Sequence, residues 1–443
     1  MLFHPNHSLK YVYNNIDLPF IPIIVEMIDE GVRIDIDRLH NLSDKISERL
    51  LELESDINLV AGRNLNINSN KQMVEFLYHT LSLPRHPSKK KRKSADAAVL
   101  EFLRPHHIVI SHIMEYRKLE KLKGDFADKL ITMVGLDGKI HPQINNTRVE
   151  TGRLSMSNPN FQQIPKRTEP WLPEFIVWAI KEVRKSIVAP PGYKIVKFDQ
   201  SQVEFRIMVV LGNDEATIKA INNKVDIHSE PLAIILNLSY DEVVRRRKNG
   251  DKVIESYRDF MKNVVYGQAY GQTPQGLFEK SRASGLPITY EQIPMIQNII
   301  LGMRPGIRRY ISEAKELARV KGYAETYFGR RVYYPELLSL DTPRWKRDAI
   351  IDREAINAPI QGTSAEILKI TGRRIWDERR LRKMRSRFML QVHDEMVSIV
   401  PDEEVEDFAG MVYDIQPKVM NDWPLLIEAE VSVGDNWGEV EKI

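Results

Sequence analysis

Leu39, Leu42, Ile46, Leu50, Leu53, Ile57 and Val60 follow one another at steps of three or four, with polar residues between them. That repeat lays one apolar stripe along a helix, and it predicts a long amphipathic helix ending at Ala61-Gly62. A second stripe, Ile113, Tyr116, Leu119, Leu122, Phe126 and Leu130, predicts another long helix over about 108–133. Two such helices joined by a smaller segment read as an antiparallel pair standing out from the body. The joining segment holds Asn66-Ile-Asn68-Ser69-Asn-Lys71-Gln72, where polar side chains can cap a helix and touch phosphates. It also holds Lys89-Lys-Lys-Arg-Lys93, a solvated loop first, a phosphate-contacting loop second and a nuclear-localisation signal last.

Beyond Gly138 the pattern turns to strands. Tyr193-Lys-Ile195-Val196-Lys-Phe198 predicts a short strand that delivers Asp199 at its end, and Ser201-Gln-Val-Glu204 opens a helix with capping-box spacing. The region 212–352 reads as mainly helical, with Arg245-Arg-Arg-Lys248-Asn-Gly250 as a charged loop. Phe388–Val392 and Met396–Val400 flank His393-Asp394-Glu395, which predicts a hairpin with an acidic turn. No internal repeat or low-complexity tract interrupts the chain.

The 443 residues, 42% apolar and 28% charged, suit about three globular domains. A net charge of +3 does not announce nucleic acid, so any basic surface must come from local clustering. There is no cysteine, which excludes disulfides and thiolate metal sites. No apolar run approaches the ~20 residues of a membrane span. The expectation is a soluble, cytoplasmic protein without membrane contact.

The candidate chemistry centres on Arg258, Lys262, Tyr266 and Tyr270, spaced by four. On a helix they share one face, two cations below two rings, able to grip a polyphosphate and press on a sugar and base. A half-buried helix with core tyrosines and solvated cations explains the spacing equally well. Asp199 and Asp394 tilt the balance, because adjacent strands could bring them together. Converging carboxylates repel unless cations lie between them, and two Mg²⁺ ions about 4 Å apart suit in-line phosphoryl transfer. Singly, Asp199 reads as a strand-end turn residue and Glu204 as a capping partner of Ser201.

The chain resembles the polymerase domain of family A DNA polymerases, the bacterial DNA polymerase I group and related phage replicases. Thr151-Gly152-Arg153-Leu154-Ser155 with Pro159-Asn160-Phe-Gln162-Gln-Ile-Pro165 is similar to that family's TGRLSS…PNLQNIP segment. Asp199-Gln200-Ser201-Gln-Val-Glu204-Phe-Arg206 resembles its motif A, Arg258–Gly271 its motif B, and Gln391-Val-His393-Asp394-Glu395 its motif C. Arg353-Glu-Ala-Ile-Asn357-Ala-Pro-Ile-Gln361-Gly362, Asp226-Ile-His228, Gly329-Arg330-Arg331 and Val433-Gly-Asp-Asn436-Trp437 also fit, in the family's order.

The resemblance implies an α+β right-hand fold with an antiparallel-sheet palm, helical fingers and a helical thumb. Its expected divisions are a palm-associated segment at 1–38, thumb at 39–135, palm at 136–211 and 353–443, and fingers at 212–352. It implies a DNA-directed DNA polymerase in which Asp199, Asp394 and the Gln200 carbonyl hold two Mg²⁺ ions, with Mn²⁺ as a substitute. Arg258, Lys262 and His228 would bind the triphosphate, Lys262 would protonate pyrophosphate, and Tyr266 would lie against the sugar. Tyr270 would pack beside Glu204, which would occupy the space of a 2′-hydroxyl. Arg153, Asn160, Gln162, Arg353, Asn357, Gln361 and His393 would meet the nascent duplex, and Asn68, Ser69, Lys71, Arg117 and Lys121 would grip it from the thumb. Partners would be primer-template DNA and dNTPs, met by a monomer.

Gln200 stands where the family commonly has an aromatic residue, and Tyr266 where many repair enzymes have Phe, which predicts weak discrimination against dideoxynucleotides. Thr168–Glu182 is longer than usual, and its Trp171, Leu172, Phe175 and Trp178 suit a packing insert or a partner surface. No acidic exonuclease domain precedes the matched region, so proofreading in cis is not expected; a separate exonuclease or replisome protein and a trimmed chain both stay open. Two rival functions are a single-subunit RNA polymerase, which Glu204 argues against, and a duplex-binding protein on an inactive scaffold, which the retained aspartates argue against.

Overall fold

A computed structural model describes residues 3–86, 94–165, 172–269 and 271–443. Lys89–Lys93, Trp171 and Tyr270 lie outside the described residues. The floor of the molecule is an antiparallel sheet of β1 (Tyr193–Gln200), β2 (Arg387–Val392), β3 (Glu395–Pro401), β4 (Ala429–Asn436) and β5 (Glu439–Lys442), in the spatial order β5-β4-β1-β3-β2. β1 is central and paired on both sides, and Ile195, Val196 and Phe198 are buried. The helix Val405–Ile415 packs across β1, β3 and β4, and Leu18–Glu30 packs along β2.

Ile36–Ala61 starts at Asp35, whose carboxylate accepts from the Arg38 amide at 3.0 Å, and ends at Gly62 in the left-handed conformation (φ +65°). It lies against the helical run Ile108–Leu122, Lys123–Asp128 and Lys129–Met133, as the two stripes predict. The stripes split between two cores. Leu39, Leu42, Ile46, Leu119, Leu122 and Leu130 join the sheet core, while Ile57, Ile110 and Ile113 close a separate tip core with Phe76 and Leu100.

Residues 203–314 build a third, helical core that also takes in Ile356, Ile360 and Ile367. Sheet, helical pair and helical domain together form the α+β right-hand arrangement that the resemblance implies. The helix Glu174–Lys185 buries Ile176, Ala179, Ile180 and Val183, and Leu172, Phe175 and Trp178 pack, partly buried, against the sheet core.

Two local expectations fail. Arg245–Lys248 belong to the helix Tyr240–Lys248, because Glu242 pairs with Arg245 at 2.7 Å and Arg246 at 2.7 Å within one turn, and Arg247 pairs with Asp226 and Glu255. The capping box at Ser201 does not form. The Ser201 amide remains tied to the Glu428 carbonyl at 2.9 Å beside the sheet, so the helix Val203–Leu211 begins abruptly at Gln202 (φ +51°), with no side-chain cap. Among the described residues, no helix is long and apolar enough to cross a membrane.

Candidate active site

The register of β1 and β3 sets Asp199 opposite Glu395, and the Gln200 amide donates to the Asp394 carbonyl at 3.4 Å. Asp199 and Asp394 therefore reach the same end of two neighbouring strands, both partly exposed. The β2–β3 turn is tight, and His393 takes a left-handed φ of +56° to make it. Asp394 Oδ1 accepts from the Ser364 hydroxyl at 3.0 Å and lies 3.6 Å from the Arg153 guanidinium. Glu395 is withdrawn: it is buried, accepts from Trp437 Nε1 at 3.0 Å and pairs with Lys197 at 2.8 Å. Side chains alternate across the sheet, so Gln200 points away from Asp199 and its amide donates to Gln416 at 3.2 Å.

Glu204 is held by Arg153 at 2.7 Å. Burial pushes its carboxyl up, the Asp394 charge pushes it further and Arg153 opposes both, leaving it at about 7. Phe205, the next residue, lies 6.1 Å (ring centroids) from Tyr266, which in turn lies 6.0 Å from His228. A continuous path thus runs from Asp394 through Arg153, Glu204 and Phe205 to the helix Lys252–Ala269. On that helix Phe260, Met261, Val264 and Val265 are buried, while Arg258, Lys262 and Tyr266 are only half-buried on another face.

Arg258 bonds Asp226 (Nε–Oδ2 2.8 Å, Nη2–Oδ1 3.4 Å), and Arg247 bonds the same carboxylate. Burial raises the Asp226 pKa, but the Arg258 bond, the His228 amide and the Arg258 charge outweigh it, leaving about 2.

His228 is 1% exposed, and neither ring nitrogen has a hydrogen-bond partner among the described residues. Burial, against the Asp226 charge and with Arg258, Lys262 and Arg304, drives it down to about 3. An unfolded histidine takes a proton near pH 6.5; the folded one does so only near 3. Between those values the unfolded state binds the extra proton, so stability should fall on acidification below about pH 6.5, by on the order of a few kcal/mol. Urea midpoints across about pH 4–8 check this. His228→Gln should flatten the acid limb, and an unchanged limb in that variant contradicts the assignment.

In the first turns of the helix Ala355–Leu381 every residue from 355 to 368 is buried except Asn357 and Gln361, which open on one side, four apart. Arg353 is exposed one turn earlier, and Asn357 Oδ1 has no hydrogen-bond partner among the described residues. Asn160 accepts from the Gln162 amide at 3.0 Å, and Gln162 donates to the carbonyls of Leu154 and Gln391 (3.3 and 3.2 Å), tying this loop to the Asp394 hairpin. On the helical pair Lys71 and Lys121 are exposed, Ser69 caps Asn70–Glu75, and Asn68 donates to Glu120 at 2.5 Å. Arg117 spends its donors on the carbonyls of Ile67 and Ala95 and braces the tip core.

Sequence reasoning missed two contributors. Ser364 lies at helical spacing from Asn357 and Gln361, a legible signal. Arg247 carries no local sign, because its contact with Asp226 depends on how two helices pack. As for metals, Asp199 and Asp394 offer only hard oxygen donors, and the Asp394 charge adds to burial in raising Glu204. Among the described residues, no group of three or more His, Cys, Asp or Glu forms a closed cage. Two partly exposed carboxylates suit Mg²⁺, which commonly completes its shell with water and phosphate.

The site thus joins two strand-end aspartates on a sheet floor, one of them linked through Arg153, Glu204 and Phe205 to a cationic, tyrosine-bearing helix. The chain belongs to DNA polymerase family A, whose model matches residues 36–439. It is similar to DNA polymerase I of Chloroflexus aurantiacus, with 33% identity over 442 residues, 98% of this chain and 44% of that protein. It is also similar to the thermostable DNA polymerase I of Thermus aquaticus, with 32% identity over 437 residues, 97% of this chain and 48% of that protein. The solved POL domain of Pol1 from M. smegmatis, in complex with DNA primer-template and dNTP, matches with a TM-score of 0.84 and 30% identity, covering 97% of this chain and 71% of that one. This chain spans about half the length of the curated relatives it matches.

Proposed function

We propose that this chain is a template-directed DNA polymerase that adds dNTPs to a primer 3′-hydroxyl. The observation that supports the reading is the run of contacts from Asp394 through Arg153, Glu204 and Phe205 to Tyr266 on the cationic helix. Asp199, Asp394 and the Gln200 carbonyl would hold two Mg²⁺ ions, or Mn²⁺ in their place. When bound, the ions supply activation of the primer hydroxyl and neutralise charge on the leaving pyrophosphate.

The protein's own groups do the rest. Arg258 and Lys262 grip the triphosphate, with His228 beside them, and Lys262 delivers the proton that pyrophosphate takes on leaving. Tyr266 lies on the sugar, and Glu204 fills the space a 2′-hydroxyl needs. Asn357, Gln361 and Arg353 read acceptors shared by correct pairs in the minor groove, with Asn160, Gln162 and His393 along the same floor. Lys71 and Lys121 meet phosphates from the thumb.

The deciding experiment is extension of a primed DNA template with Mg²⁺, supplied with dNTPs or rNTPs in parallel. Extension by dNTPs supports the reading; extension by rNTPs alone selects an RNA polymerase instead. In the same assay Tyr266 should tolerate chain terminators, because its hydroxyl supplies the hydrogen bond a dideoxynucleotide lacks. Competition at equal concentration should favour dNTP less than about tenfold, and Tyr266→Phe should raise that preference by ~10². Strong preference in the parent, unchanged in the variant, contradicts the role.

A further inference from the structure

Asp226 is surrounded by more donors than one carboxylate needs. Its Oδ2 accepts from Arg258 Nε (2.8 Å), from the Ser229 hydroxyl (3.0 Å) and from Arg247, while Oδ1 accepts from the His228 amide at 3.1 Å. Arg247 sits in the last turn of Tyr240–Lys248 and also bonds Glu255 at 3.0 Å. Glu255 lies 3.7 Å from Arg258, so two acids and two guanidinium groups alternate in a ring. The Asp226 and Arg258 side chains are 19% and 17% exposed, which makes an uncompensated charge at either costly.

This arrangement poses a problem for the triphosphate. Arg258 cannot turn to a phosphate without leaving a largely buried carboxylate behind, and a buried carboxylate left with no cation is strongly disfavoured. We infer that Arg247 is a positioning residue that keeps Asp226 compensated, so that Arg258 can pass from this carboxylate to an incoming polyphosphate. With Arg247 in place, departure of Arg258 leaves Asp226 holding one guanidinium, one hydroxyl and one amide. Without it, Asp226 retains Arg258 and the nucleotide must compete for it. The inference rests on reading Arg258 as a phosphate ligand.

Steady-state kinetics on the whole chain separate the two ideas. Arg247→Gln should raise KM for dNTP about three- to tenfold with kcat within about twofold, and Arg247→Lys should recover most of the loss. In an Asp226→Asn background, where no carboxylate detains Arg258, Arg247→Gln should change KM less than about twofold. Arg247 is 35% exposed, and matching thermal midpoints of parent and variant would exclude misfolding as the cause. Three results overturn the inference. They are a KM unmoved by Arg247→Gln while Arg258→Gln raises it, an Arg247→Gln effect undiminished in the Asp226→Asn background, and a kcat that falls in step with the rise in KM. If Arg258→Gln itself leaves KM unchanged, the phosphate reading of Arg258 falls and takes this inference with it.

Discussion

Asp394→Ala is expected to cut the rate of primer extension by roughly 10³-fold or more, while primer-template affinity changes by no more than a few-fold. The residue is partly exposed at a hairpin turn, so its loss removes little packing. What it removes is one of two oxygen-donor side chains at the strand ends. Glu395 cannot replace it, because that carboxylate is buried against Lys197 and Trp437. Arg153 and Ser364 would remain beside the gap, leaving a donor-rich pocket with one carboxylate where two are needed. Single-turnover extension on a labelled primer, with affinity measured separately by fluorescence anisotropy, tests this. Extension at the parental rate would refute the mechanism, and weakened DNA binding alone would assign Asp394 to duplex contact.

Glu204→Ala should relax the preference for dNTP over rNTP by roughly 10²-fold. The carboxylate is pinned by Arg153 at 2.7 Å, near enough to Asp394 to feel its charge. On the proposed role it would exclude an added hydroxyl by steric volume, and shortening it to alanine would open that space. The change also strips Arg153 of its nearer partner, so dNTP incorporation should itself slow by about tenfold. The ratio of kcat/KM for matched dNTP and rNTP is the measurement. A ratio that stays put while both rates fall together would show Glu204 to be a brace for Arg153, with no part in sugar selection.

Much of this fold was legible because it is written at short range. The stripes of Ile36–Ala61 and Ile108–Met133, the strand ending at Asp199 and the hairpin at Asp394 each follow from periodicity within a few turns or pleats. The same holds for the shared face of Arg258, Lys262 and Tyr266. The misreadings at Arg245–Lys248 and Ser201 are local too: two cations of the charge run pair with Glu242 inside their own helix, and one serine amide stays bonded beside the sheet.

The sequence by itself thus determined the elements, their order and the residue types available for chemistry. Tertiary structure decided which acid faces the cleft, since sheet pairing and Trp437 bury Glu395 and leave Asp394 partly exposed. It also chose Arg153 as the partner of Glu204, set Arg247 and Arg258 on one carboxylate and sealed His228 away from water. The reason is physical: periodicity is a property of neighbours along the chain, whereas desolvation and charge pairing depend on which distant side chains arrive at the same place.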